Sequence, residues 1–235
     1  MAGKQAKQLA KKPEVKAKST GGMGAKPMFM LVLMAVLAAL IAVPLTMPKH
    51  VFSPEVMKRI AQQAVKLGNG SSTVVVNTVI DLLAKEYPGY VNTEQDWIFN
   101  NAGGAMGAMT VLHASMSEYV IIFGTALGTE GHTGRFLADD WFTILHGEQW
   151  AFPAGALERE VYKPGDQHHL KFGDVKQYKM PDTCWALEYA RGNIVSMLPF
   201  GFADTFFSTL DFVTLYHTVR ISARDMIKYV LQGKV

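Results

Sequence analysis

Between Cys184 and Gly192 the chain reads CWALEYARG, an apolar run holding one acid, Glu188. On a strand, successive side chains point to opposite faces. Trp185, Leu187 and Tyr189 then share one face, and Ala186, Glu188 and Ala190 share the other. A carboxylate between two alanines has empty space beside it. A fold that turns this face inward must pair the acid, keep it protonated, or let a ligand bring a cation to it. A fold that leaves the face in water makes Glu188 an ordinary surface residue on a half-exposed strand. The rest of the chain has to decide between the two.

Charge is unevenly placed. The net charge is +3, yet seven lysines fall within the first 26 residues with only Glu14 against them, and the remainder is close to neutral or slightly acidic. The basic segment has no arginine, and no basic patch with interleaved aromatics follows it, which disfavours nucleic-acid binding. Residues 1–26 are rich in Lys, Gly and Ala, bury nothing, and are expected to be disordered. The single cysteine, Cys184, rules out an intramolecular disulfide and a thiolate metal site.

Pro27 to Met47 reads PMFMLVLMAVLAALIAVPLTM, with no charge in it. A run of about 20 such residues is long enough to cross a bilayer as a helix. A cleaved signal peptide is the competing reading. Against it stand the long basic region, an apolar run beyond the usual length, and no Ala-x-Ala site ahead of Lys49. The lysines place the tail in the cytosol and the body across the membrane, with the endoplasmic reticulum lumen as the expected compartment.

The remaining 48–235 segment is expected to form one domain. Ser53 and Pro54 start a helix with Val56, Ile60, Ala64 and Leu67 on one stripe, and a second runs from about Thr73 to Glu86. Residues 97–109 carry three glycines in five residues but match no phosphate loop or dinucleotide fingerprint. From about Thr110 to Gly192 short apolar runs alternate with glycine turns, as in an antiparallel barrel or sandwich. From Asn193 to 232 the pattern is helical and apolar, interrupted by Asp204 and Asp211. That suits an amphipathic segment in a membrane interface, a helix covering one end of the barrel, or both. The fold class is thus α+β.

Several blocks resemble one family. Asn100–Gly107, His113–Tyr119, Phe123–Gly134, Ala138–Gly147, Met197–Asp211 and Ala223–Met226 are similar to the fungal sterol C-8 isomerases (Δ8–Δ7 sterol isomerases) over roughly residues 50 to 232. The same blocks resemble the animal sigma-one receptor, a relative that binds cationic amphiphiles. The receptor pairs the glutamate matched by Glu188 with an aspartate at the position of Phe142. This chain instead has Asp139 and Asp140 just upstream, the pattern of the fungal enzymes.

The resemblance implies a cupin-like barrel, a membrane helix before it, membrane-facing helices after it, and a homotrimer. It implies a sterol drawn from the bilayer as substrate, no cofactor, no metal, and lipophilic amines as inhibitors. Glu188 with Asp140 or Asp139 are the candidate catalytic carboxyls. On a strand Asp140 shares a face with Phe142, and Asp139 faces the other way unless a bulge intervenes. Tyr119, Phe142, Trp185 and Glu118 are the candidates around the substrate, Glu118 with a structural reading beside it. The adjacent His168 and His169 should face opposite ways, and His113 and His132 lack partners at metal-ligand spacing.

Overall fold

The computed structural model describes residues 50–233, together with Met30, Leu31 and Met34. Those three are helical and exposed, and belong to a separate unit, Met1–Leu37. The expected tail over 1–26 lies outside the described residues, and so does most of the expected span over 27–47. Among the described residues no helix is long and apolar enough to cross a membrane.

The body begins with two helices, α1 (Pro54–Gly68) and α2 (Ser72–Glu86). Ser53 caps α1 by accepting from the Val56 amide at 3.4 Å, Pro54 fills the first helical position, and Asn69 ends the helix in the left-handed region. Met57, Ile60, Ala61 and Ala64 form its buried face, while Leu67 is exposed. The expected stripe is therefore rotated by about one residue, because the helix lies against both α2 and a sheet. Val75, Val76, Val79, Ile80 and Leu83 answer from α2. Each such aliphatic side chain contributes about 1.5–3 kcal/mol when fully buried.

Ten strands follow: β1 (Ile98–Ala102), β2 (Ala105–Ala114), β3 (Glu118–Thr125), β4 (Thr129–His132), β5 (Ala138–His146), β6 (Gln149–Phe152), β7 (Glu160–Tyr162), β8 (Gln167–Leu170), β9 (Gln177–Met180) and β10 (Cys184–Gly192). They pair antiparallel into two sheets, ordered β1-β2-β3-β10-β5-β8 and β4-β9-β6-β7. The larger sheet carries Leu112, Val120, Ile122, Trp141, Leu145, Leu187 and Tyr189 toward the two helices. Its other face carries Met109, Ile121, Phe123, Phe142, Ile144 and Ala186, packed with Met180, Tyr162 and Tyr178 of the smaller sheet. The layers are thus helices, large sheet, small sheet, as the alternation in β10 requires.

Strand structure starts at Ile98, not near Thr110. The glycines that make residues 97–109 look irregular are part of a hairpin. Gly103 and Gly104 turn it with φ of +63° and +84°, a region that costs other residues a Cβ clash. Gly107 lets β2 lie close to β3, where a Cβ would come 2.4 Å from the Gly124 carbonyl oxygen. Gly128–Gly134, whose three glycines read as a turn-forming loop in the sequence, likewise contains β4.

After β10 the chain forms a 3-10 turn (Ile194–Met197), α3 (Leu198–Asp204), a π turn (Thr205–Thr209) and α4 (Phe212–Leu231). Leu210 takes φ +54° between the π turn and α4. Asp211 caps α4, accepting from the Thr214 amide at 3.0 Å. These helices cover one end of the cavity between the sheets with Met197, Phe200, Phe202 and Met226. Phe206, Phe207, Leu210, Phe212, Val213 and Tyr216 stay exposed.

Candidate active site

Glu188 lies in the middle of β10, opposite Ile121 of β3 and Phe142 of β5. Asp140 is two residues from Phe142 and opposite Ala190. The two acids are therefore diagonal neighbours on one face of an antiparallel pair, a separation that side chains of this length can span. Both line the cavity between the sheets, and the small side chain of Ala190 leaves them room. Both are half-buried.

The rest of the lining is largely apolar, with Met109, Ile121, Phe123, Phe136, Phe142, Leu170 and the C-terminal helices contributing, and none of the described lining residues is Lys or Arg. The electrostatics follow. Burial pushes the Asp140 carboxyl well above its ordinary value. Burial does the same to Glu188, and the neighbouring Asp140 charge adds to it. Two like charges so close to each other in an apolar site cannot both form cheaply, which favours a proton held by the pair. One oxygen of Asp140, Oδ1, is fully buried and has no hydrogen-bond partner.

Two phenols flank the pair. Tyr119, opposite Ala190 on β3, is pushed up to about 12 by burial and by the charges of Glu188 and Asp225, against a hydrogen bond with the Ser222 side chain of α4. Tyr178 of β9 is raised too, by burial first and then by Glu188 and Asp140. Tyr178 is a member of this site that sequence reasoning missed. Its strand is only four residues long, and the small sheet that turns it toward the acids has no local signature. Gln149, Ser222 and Met226 were missed likewise.

Other expected residues lie elsewhere. Asp139 points away from the cavity; its Oδ1 meets His169 Nε2 at 2.7 Å and accepts from the Phe172 amide. No bulge intervenes at this point of β5, so strict alternation separates it from Asp140. Trp185 sits on the helix-facing side, edge-on to Trp97 at 5.3 Å. Glu118 is buried away from the cavity, where its carboxylate accepts from the Val51 and Phe52 amides at 2.7 and 3.0 Å and from the Tyr189 hydroxyl at 2.7 Å. It holds the chain entering α1 against the sheet. Tyr119 and Phe142 do line the cavity.

The histidines divide as strand geometry requires. His168 stacks on Phe142 at 4.6 Å, and burial pushes it down to about 4. His169 stacks on Trp141 on the other face at 4.4 Å. His113 is packed among Phe52, Tyr90 and Tyr229. Among the described residues no group of three or more His, Cys, Asp or Glu side chains is arranged to hold a metal ion.

The chain is similar to several characterised proteins. The C-8 sterol isomerase erg2 of Aspergillus fumigatus is 54% identical over 186 residues, 79% of this chain and 78% of that protein. The C-8 sterol isomerase ERG2 of Gibberella zeae is 47% identical over 231 residues, 97% of this chain and 98% of that one. The sigma non-opioid intracellular receptor 1 of Danio rerio is 39% identical over 181 residues, 76% of this chain and 80% of the receptor. Among solved structures, an RmlC-like cupin from Shewanella frigidimarina shows a partial likeness, with a TM-score of 0.37 at 13% identity over 45% of this chain and 90% of that one. The model of one family, described as ERG2 and Sigma1 receptor like protein, matches residues 28–234. With its matched blocks spread over helices, sheets and cavity alike, the chain belongs to that family.

Proposed function

We infer that this chain is a sterol C-8 isomerase, which moves a ring double bond from C8=C9 to C7=C8. The observation that carries the reading is the pair of carboxyls, Glu188 and Asp140, side by side in a largely apolar cavity with no Lys or Arg among its described lining. Relatives named C-8 sterol isomerase, 47–54% identical, support it, against 39% for the receptor.

The reaction asks for a proton at C9 and the loss of one from C7. A carboxyl kept protonated by burial donates to C9, and the C8=C9 electron pair forms the new C9–H bond. The cation left at C8 lies next to the second carboxyl, whose negative charge stabilises it in a dry site. That carboxylate then takes a proton from C7, and the C7–H electrons become the C7=C8 bond. One proton has moved from one carboxyl to the other, and its return resets the site. Tyr119 and Tyr178, which line the cavity with the pair, are the proposed hydrogen-bond donors to whichever carboxyl is ionised. A lipophilic amine carries its positive charge where the carbocation forms, so such amines inhibit.

The substrate is a bilayer-dissolved sterol, and the body is expected in the endoplasmic reticulum lumen, on the inner face of that membrane. The exposed Phe206, Phe207, Leu210, Phe212 and Val213, at the end of the cavity that the C-terminal helices cover, support this, with Arg220, Arg224 and Lys228 exposed beyond them.

The test is gas chromatography of sterols from a strain lacking its own C-8 isomerase. Expression of this chain should convert Δ8 to Δ7 sterols, and the Glu188→Ala and Asp140→Asn forms should not. Accumulated Δ8 sterol in cells that make well-folded wild-type protein would overturn the assignment.

A further inference from the structure

Gln149 opens β6, on the sheet opposite the carboxyl pair, and is only 3% exposed. Its side chain lines the cavity, and its Oε1 is fully buried with no hydrogen-bond partner. A buried amide oxygen in that condition is costly, and folded proteins rarely keep one without a use. Apart from the Tyr178 hydroxyl, which lies by the carboxyls, the other uncharged polar side chains of the wall each have a hydrogen bond. Asn100 Nδ2 donates to Met109 Sδ at 3.3 Å, the Thr218 hydroxyl donates to the Thr214 carbonyl at 2.9 Å, and the Thr133 hydroxyl donates to the Gly134 carbonyl at 3.1 Å. His132 Nδ1 accepts from the Gly134 amide at 2.9 Å, and Ser222 is bonded to Tyr119.

Its location relative to the acids is defined by a chain of neighbours. Gln149 is opposite Tyr162 in the β6–β7 register. The Tyr162 ring meets Phe142 edge-on at 5.6 Å, and Phe142 is opposite Glu188. The amide therefore lies beyond Phe142 and Tyr162 as seen from the carboxyls, on the wall of the same cavity. The helices that cover the cavity bring only Met197, Phe200, Phe202 and other apolar groups beside Thr218 and Ser222. In a sterol the reacting double bond is in ring B, the hydroxyl is one ring away on ring A, and the alkyl tail points the other way. Resting on the isomerase reading, we propose that Gln149 is a specificity-determining residue that hydrogen-bonds the sterol 3-hydroxyl, with the alkyl tail directed at the helices. A hydroxyl both donates and accepts, so it satisfies the amide in either orientation of its oxygen and nitrogen. The broad χ3 torsion leaves the amide free to turn its oxygen or its nitrogen toward the ligand.

The experiment is equilibrium binding, by tryptophan fluorescence, of a 3β-hydroxy Δ8 sterol and its 3-deoxy counterpart to the full chain in detergent. Wild-type protein should prefer the hydroxy sterol by about tenfold or more. Gln149→Leu and the unbranched Gln149→Met should each reduce that preference to about threefold or less, while the affinity for the 3-deoxy compound stays near wild type. Retained 3-deoxy binding shows that a variant is folded. Equal binding of both ligands by wild type, or an undiminished preference in the folded variants, would overturn the proposal. Turnover measured on the same preparation keeps the two readings apart. A hydroxyl preference without Δ8-to-Δ7 conversion upholds Gln149 and sinks the isomerase reading. Conversion without a preference does the reverse.

Discussion

The proposed reaction uses Glu188 and Asp140 because they are thermodynamically awkward. Both have folded-state values raised above those of an exposed carboxyl, chiefly by burial. Between the unfolded and the folded value the native state holds more protons than the unfolded chain, so stability falls as pH rises through that window. A glutamine cannot ionise and escapes this loss. Glu188→Gln should therefore lower turnover by about 10²- to 10⁴-fold while raising the melting temperature at neutral and alkaline pH. Thermal denaturation across a pH series checks it, and a variant less stable than wild type at high pH would refute the account. The pH–rate profile should be a bell, with neither limb assignable to one residue, because the pair titrates together. Both limbs should lie above the range of free carboxyls, since acid must leave one carboxyl ionised and base must leave one protonated.

At the scale of elements, one strand does two jobs by alternation. β10 carries Leu187 and Tyr189 to the helices and Ala186, Glu188 and Ala190 to the cavity. Start of β3 and end of β10 meet at Glu118, whose carboxylate satisfies two backbone amides ahead of α1 and the Tyr189 hydroxyl. Glu118→Ala strands those donors in a buried place and should cost about 3 kcal/mol or more in chemical denaturation. A loss below about 1 kcal/mol would mean water replaces the carboxylate. α4 reaches the site through the Ser222–Tyr119 hydrogen bond. Ser222→Ala should lower kcat by about threefold to tenfold with KM little changed, and Ser222→Thr should restore it, because the hydroxyl positions Tyr119. An unchanged kcat in the alanine variant would show that Tyr119 is held by packing alone.

Over the whole molecule, the cavity is closed by the helices whose outer surface is the most apolar exposed region of the body. Phe207 is 91% exposed and Val213 is 70% exposed. A sterol leaving a bilayer at this surface would reach the cavity without crossing water. Replacing Phe207 and Val213 together by glutamate should raise KM for sterol presented in vesicles by about tenfold and leave KM in detergent micelles nearly unchanged. Equal KM changes in both media would refute entry from the bilayer side.

The period-two pattern around Glu188, the caps and turns of the first helices, and the amphipathic C-terminal segment were all legible in the chain, because each depends on residues near one another in sequence. The pattern around Glu188 left its face either inward or in water, and only the smaller sheet packed over that face makes it inward. The choice of Asp140 over Asp139 needed the register of β5 against β10, since a single bulge would reverse it. The hairpin at Ile98–Ala114 was hidden because its glycines look like a loop until a second strand packs against them. Tyr178 and Gln149 come from short strands of the small sheet, and Ser222 from a distant helix. Local patterning determined which faces are buried; only long-range pairing decided which side chains meet across the cavity, because strand partners are chosen by packing and not by neighbours in the chain.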